Sequence, residues 1–226
     1  MTPAATTAIG EAAAEAFDAA LAGVDCRLQL DDGRSLPLPV RRWHGDAGSA
    51  DGWLLARCRG ATIDLGCGPG RLVRALVAEG RPALGVDASP RATRHCAARG
   101  APAVRRNVFD ALPGQGNWQH AILADGNIGI GGDPAALLRR ATALLRRGGS
   151  VLVETEPAAC GLWSGRARLQ AGAHTGPWFR WAVVGRDALP ELARRASLRI
   201  HDHGDSRRRC FAELVRHHVH QPMHRP

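Results

Sequence analysis

A chain of 226 residues that is 45% hydrophobic suits one globular domain with a sizeable core. No stretch approaches the roughly 20 apolar residues that span a bilayer, and the Ala-rich start carries Glu11, Glu15 and Asp18 but no basic opening of a secretory signal, so a cytoplasmic protein without membrane contact is expected. The net charge of +9 comes from 30 arginines, with no lysine in the chain, and would suit an acidic partner. The basic stretches Arg139-Arg140, Arg146-Arg147 and Arg207-Arg208-Arg209 lack the interleaved aromatics that stack on bases, which makes nucleic acid the less favoured partner.

Residues 7–22 place Ile9, Ala13, Phe17 and Leu21 on one apolar face of a helix. Residues 26–40 alternate about Asp32-Gly33, a hairpin signal. Trp43 and His44 follow, then a Gly/Ser/Ala loop and a short helix over 51–58. Residues 1–50 are thus expected to form a helix-and-hairpin cap, with Trp43 in a substrate wall and His44 as a candidate base.

Residues 61–80 read ATIDLGCGPGRLVRALVAEG. A short buried strand reaches Asp64, turns on Gly66, Gly68 and Gly70, and enters a helix with Leu72, Val73, Leu76 and Val77 on one face. Glycines let a backbone approach a ligand closely, and the helix start offers free N–H groups. The dinucleotide pattern G-x-G-x-x-G would need a third glycine at 71, where Arg71 stands. A second apolar strand over 82–87 ends in Asp87, followed by Ala88 and by Ser89-Pro90, an N-cap with proline at the first helical position. A third strand over 103–108 ends at Phe109-Asp110.

The D-x-G-x-G-x-G run, with the acids that follow at two further strand ends, resembles class I S-adenosylmethionine-dependent methyltransferases. The resemblance implies a doubly wound, Rossmann-like α/β fold with seven strands, mostly parallel, the last antiparallel. It also implies roles. Asp64 meets the amino group of the methionine moiety, and Gly66, Cys67, Gly68 and Gly70 pass beneath the cofactor. Asp87 with Ala88 holds the ribose, Asp110 reaches the adenine amino group, and Phe109 covers the ring. Cys67 fills a position that needs a small side chain, not a nucleophile.

A turn cluster over 113–117 precedes a fourth strand over 120–124 that delivers Asp125-Gly126-Asn127. Ligands of doubly wound sheets lie beyond the carboxyl ends of the strands, so Asp125 and Asn127 are expected at the reaction centre, with Asp125 also touching cofactor and serving as the candidate base. The following segment ends at Asp133-Pro134, a helix start. Gly126 and Asn127 replace the prolines of the [DN]-P-P-[YFW] signature, and no Pro-Cys nucleophile is present. Both departures count against the nucleic-acid branches of the family.

A helix over 134–147 stops at Gly148-Gly149, and a fifth strand over 150–155 follows. An insertion over 158–184 carries Trp163, Trp178, Phe179 and Trp181 in an alternating hairpin closed near His174, whose aromatics could wall a flat or apolar acceptor. A helix over 187–197 and a hairpin of 198–203 with 209–216 close the domain that began at residue 51. Residues 217–226, rich in histidine, are expected to be a disordered tail without a metal site. Six scattered cysteines without a C-x-x-C pair indicate neither zinc nor a disulfide framework.

These readings converge on a methyltransferase acting on a small molecule. The alternatives are a nucleic-acid or protein methyltransferase and a non-catalytic S-adenosylmethionine-binding protein. The acceptor and the oligomeric state are not legible.

Overall fold

A computed structural model describes residues 16–157, 160–206 and 208–216. The expected tail over 217–226 and the start of the first helix lie outside the described residues. The chain opens with helix α1 (Asp18–Leu21) and a hairpin of β1 (Arg27–Leu30) and β2 (Ser35–Pro37). Helix α2 (Val40–His44), a 3-10 turn (Ser49–Asp51) and α3 (Gly52–Arg57) lead into β3 (Thr62–Leu65). Next come α4 (Arg71–Ala78), β4 (Ala83–Asp87), α5 (Pro90–Ala98), β5 (Ala103–Arg105) and β6 (Trp118–Leu123). A 3-10 stretch (Asn127–Gly132), α6 (Pro134–Leu144) and β7 (Leu145–Thr155) complete the central part. The remainder is β8 (Leu162–Ala171), β9 (His174–Thr175), β10 (Phe179–Val184), α7 (Leu189–Arg195), β11 (Leu198–Ser206) and β12 (Arg209–Arg216).

Seven strands form one sheet in the order β11-β12-β7-β6-β3-β4-β5. The pairs β7-β6, β6-β3, β3-β4 and β4-β5 are parallel, and β12 runs antiparallel to both of its neighbours. The antiparallel strand is last in sequence but sits one place in from the edge. Strand order reverses between β3 and β6, the switch point where doubly wound sheets open a crevice.

Both faces of this sheet are covered, so its central strands are buried on both sides, with Thr62, Asp64, His120 and Ser150 among the polar residues they carry. Ala121, Leu123, Val151 and Val153 face α6 and α7, where they meet Leu137, Leu138, Ala141 and Leu192. The alternate residues Ile122, Ala124 and Leu152 point to the other face and pack with Leu54, Leu72 and Leu76. Full burial of one such side chain stabilises by about 1.5–3 kcal/mol.

Three local expectations change. Val77 is 37% exposed whereas Arg71 is 4% exposed, because Arg71 has buried carboxylate partners that outweigh the apolar pattern of α4. Helix α6 ends at Leu144, and Arg146-Arg147 belong to the start of β7. Strand β6 meets that start through Trp118 opposite Leu145, followed by a register shift before His120.

The two appendages are one structure. β8 of the insertion pairs antiparallel with β1 of the N-terminal hairpin, and β10 pairs with β8, giving the order β10-β8-β1-β2 with β9 beside β8. This second sheet has its own core of Leu28, Leu30, Leu169, Phe179 and Trp181, against which Phe17 and Trp43 pack. The segment after Asp125 joins the two sheets and packs along β10. A Cβ on Gly129 would stand 2.0 Å from the Ala182 carbonyl oxygen, so only glycine fits where the cap strand crosses. No helix among the described residues is long and apolar enough to cross a membrane.

Candidate active site

Between the large sheet and the cap lies a cavity of about 690 Å³, within the range of small-molecule sites. Its floor is the carboxyl ends of β3, β4, β6 and β7. Phe17, Leu28, Leu36, Trp43, Trp181 and Val183 roof it.

At one end, the chain leaves β3 through Asp64 and turns over residues 66–70. Gly66 sits at φ +79° with Asn127 Nδ2 2.7 Å from where a Cβ would be, and Gly68 at φ +52° faces open space. Asn127 donates to the carbonyls of Leu65 at 3.0 Å and Gly66 at 2.7 Å, so its amide braces the turn. Asp87 closes the turn from β4: Oδ2 accepts from Gly68 N at 2.9 Å and Oδ1 from Ser89 N at 2.9 Å. Ser89 caps α5 through Arg91 N and Ala92 N. Cys67 packs against Cys96 with the sulfurs 3.8 Å apart, and that contact, together with burial, pushes the Cys67 thiol up and away from nucleophilic use.

Asp64 is 3% exposed and receives no hydrogen bond among the described residues. Burial, then the Asp125 charge, raise its carboxyl to about 7 against the pull of Arg71. Burial likewise raises Asp87, despite the backbone N–H groups that favour its charged form.

Beyond the turn, six charged side chains interlock. Arg209 grips Glu154 through Nε and Nη2, both at 2.7 Å, and Asp51 through Nη1 at 2.7 Å. Arg71 pairs with Asp51 and with Asp125 Oδ2 at 2.7 Å. Arg42 of the cap donates twice to Asp125 Oδ1, at 2.9 and 2.7 Å. Asp125 is held in the left-handed region at φ 55°, and its N–H donates to Glu154 at 2.7 Å. Burial opposes the charge on Asp51, but hydrogen bonds from Arg71 and Arg209 outweigh it and hold the carboxyl below its usual range. Three cations balance three anions. A buried charge left unpaired would be costly.

Of the residues expected to bind cofactor, Asp64, Gly66, Cys67, Gly68, Asp87, Ala88, Phe109 and Asp125 line the cavity. Gly70 does not; its Cβ position is filled by Cys96 and Ala101, so its place is in the packing under the turn. Asp110 also does not line it. Its carbonyl is taken by Arg140, while Asn107, three residues earlier, reaches the cavity with Phe109. β5 stops at Arg105, so an amide in the loop beyond it, rather than the acid at 110, lines this end of the cavity. Of the candidate catalytic groups, Asp125 is enclosed by arginines and Asn127 is a brace. His44 lies away from the cavity, with Nε2 3.0 Å from the Ala20 carbonyl and its ring edge-on to His95. Among the insertion's aromatics Trp181 lines the cavity, whereas Trp178 is exposed and Phe179 lies in the cap core. The arginines 42, 71 and 209 were not anticipated, since nothing in the order of residues reveals that positions so far apart share one cluster.

No curated protein matches the sequence. Among solved structures, a methyltransferase from Bacteroides fragilis in complex with S-adenosyl-L-homocysteine superposes with a TM-score of 0.70 at 20% identity, covering 93% of this chain and 95% of that one. A 1,6-didemethyltoxoflavin-N1-methyltransferase from Burkholderia thailandensis gives 0.55 at 19% identity, over 73% and 75% of the two chains. An O-methyltransferase of neocarzinostatin biosynthesis, bound to S-adenosyl-L-homocysteine and 1,4-dihydroxy-2-naphthoic acid, gives 0.56 at 22% identity, over 75% of this chain and 53% of that one. These likenesses establish the fold. The family model described as "Methyltransferase domain" matches residues 54–203. With well over half of its length so matched, the chain belongs to the methyltransferase-domain family and is a class I S-adenosylmethionine-dependent methyltransferase.

Proposed function

We propose that this enzyme methylates a small, flat, largely apolar acceptor held beneath the cap sheet. The observation that carries this is the continuity of one cavity from the glycine turn to the underside of an aromatic roof. S-adenosylmethionine, when bound, supplies a methyl group on a leaving group that is already activated. Asp64 suits its amino group, because an ammonium there would give a buried carboxylate the partner it lacks. Asp87 keeps lone pairs for ribose hydroxyls beyond the two N–H groups that orient it. Phe109 and Asn107 suit the adenine. The roof of Phe17, Trp43 and Trp181 keeps water from the acceptor, and the arginine–carboxylate floor fixes the strand ends on which it rests. Positioning then supplies most of the rate enhancement.

The solved neighbours support a small acceptor: the toxoflavin enzyme holds didemethyltoxoflavin and the neocarzinostatin enzyme holds a dihydroxynaphthoic acid. The test is calorimetric titration with S-adenosylhomocysteine and NAD, on wild type and Asp87→Ala, followed by an acceptor screen of planar phenols, planar amines, RNA and Arg-rich peptides. Tight binding of the sulfur ligand alone, weakened in the variant, with turnover on a planar small molecule, is expected. Turnover confined to RNA or peptide would overturn the acceptor class. Binding without any turnover would favour a non-catalytic role.

A further inference from the structure

We propose that Glu156, just beyond the carboxyl end of β7, takes the proton from the methyl acceptor, so that the acceptor presents an O–H or N–H to that end of the cavity. This rests on the methyltransferase reading above. Six carboxylates line the cavity among the described residues, and five are committed. Asp87 orients the glycine turn and Ser89. Asp133 caps α6 through Ala136 N at 3.0 Å. Asp125 and Glu154 are gripped by arginines. Asp64 lies at the glycine turn, where the cofactor's amino group is needed.

Glu156 differs from all of them. Its backbone is pinned, with N donating to Val184 O at 2.9 Å and O accepting from Arg186 N at 3.1 Å. It is an exposed residue at the rim of the cavity it lines, and its side chain has no hydrogen bond or ion pair among the described residues. Its place in the sheet also fits. β4, whose acid suits the ribose, lies on one side of β3, and β6 and β7 lie on the other. Glu156 is therefore on the acceptor side, beside the end of the cap strand that carries Trp181 and Val183.

The charged groups that act on it are Glu154 on the strand before it and Arg42 from α2, while Arg208 and Arg209 line the same cavity from the turn before β12 and its first residue. Cys160 and Asp187 stand on the chain that follows. Partial burial, then repulsion by Glu154, raise the Glu156 carboxyl against the attraction of Arg42. A raised carboxyl is a better proton acceptor near neutral pH. In the step, the acceptor's hydrogen passes to a Glu156 oxygen while the acceptor's electron pair forms the new bond to the methyl carbon. The pair of the broken carbon–sulfur bond stays on sulfur. One positive sulfonium and one negative carboxylate become a neutral thioether and a neutral acid, so charge balances.

The test uses 4-nitrophenol, a flat O–H donor whose ionised form is coloured, bound to full-length protein saturated with S-adenosylhomocysteine. Beside an ionised Glu156 the bound phenol should titrate at higher pH than in solution. Glu156→Gln should bring the bound value down by about one unit or more, and Glu156→Asp should keep part of the shift. An unshifted probe, equal titration in wild type and Glu156→Gln, or no binding of the phenol overturns the proposal. Calorimetry with S-adenosylhomocysteine on the same samples separates the two readings. Failure to bind it would remove the methyltransferase reading, whereas binding with an unshifted probe removes only the role of Glu156.

Discussion

Arg42 and Asp125 stand 83 residues apart, on the cap and on the large sheet, yet one carboxylate oxygen of Asp125 accepts both Nε and Nη2 of Arg42 at 2.9 and 2.7 Å. This contact ties the roof of the cavity to its floor. Arg99 makes a parallel tie on the other flank, donating to the carbonyls of His44 at 2.9 Å and Gly45 at 2.6 Å.

If the Arg42–Asp125 pair holds the cap, Arg42→Met and Asp125→Asn should not destabilise independently. A double-mutant cycle read by urea unfolding should give a coupling of about 1–3 kcal/mol. Additive effects would show that this ion pair does not hold the cap to the sheet. Arg209→Met, which removes both short bonds from Glu154 and one of the two arginines on Asp51, should cost more than Arg42→Met, on the order of 3–5 kcal/mol.

The raised carboxyl of Asp64 fixes the sign of a pH effect. Folding raises it from an ordinary 3.8 to about 7, so in the ligand-free protein its contribution to stability is fully present below the ordinary value and is lost as pH rises through about 7. Asp64→Asn should therefore raise the melting temperature of the ligand-free protein at pH 8, by the equivalent of a few kcal/mol at about 1.4 kcal/mol per unit. Binding of an ammonium needs the ionised form. S-adenosylhomocysteine should bind roughly tenfold more weakly per pH unit below that value and release a proton on binding. Titration calorimetry in two buffers reads both effects, and Asp64→Asn should abolish the pH slope along with most of the affinity.

Asn107 and Asp110 make opposite predictions for the adenine end. Asn107→Ala should weaken S-adenosylhomocysteine by about tenfold, the value of one good hydrogen bond. Asp110→Ala should leave the dissociation constant within about twofold, since Asp110 does not line the cavity. Calorimetry on the two variants decides between them.

Gly129→Ala would place a methyl group against the Ala182 carbonyl. Separating the cap strand from the segment beneath it should cost about 1–3 kcal/mol, lowering the melting temperature. Gly126→Ala offers a contrast in mechanism: nothing crowds its Cβ, but its φ of +86° disfavours any side chain.

The sheet and the cofactor turn were legible in the chain because both are local. Short apolar runs ending in Asp64 and Asp87, a glycine turn and a Ser-Pro helix start each lie within about ten residues, and steric and hydrogen-bonding rules act at that range. The hairpin at Asp32-Gly33 and the aromatic insertion were legible as separate pieces for the same reason. Their union was not. Pairing of Leu28 with Leu169 joins strands 141 residues apart, and backbone ladders form between any two extended edges without a signature in either.

In the glycine-rich segment after Asp125, Gly129 and Gly132 record the passage of β10, visible only when that strand is in place. Asp125 itself looked like a base by its position at a strand end. Tertiary structure gave it three arginines from distant parts of the chain and left the Glu156 side chain without a partner among the described residues. Residue order thus determined the fold class, the cradle and the cofactor it suits. Which carboxylates are quenched by a cation and which stay open to the cavity was decided by long-range electrostatics, because an ion pair depends on distance in space and not on separation in sequence.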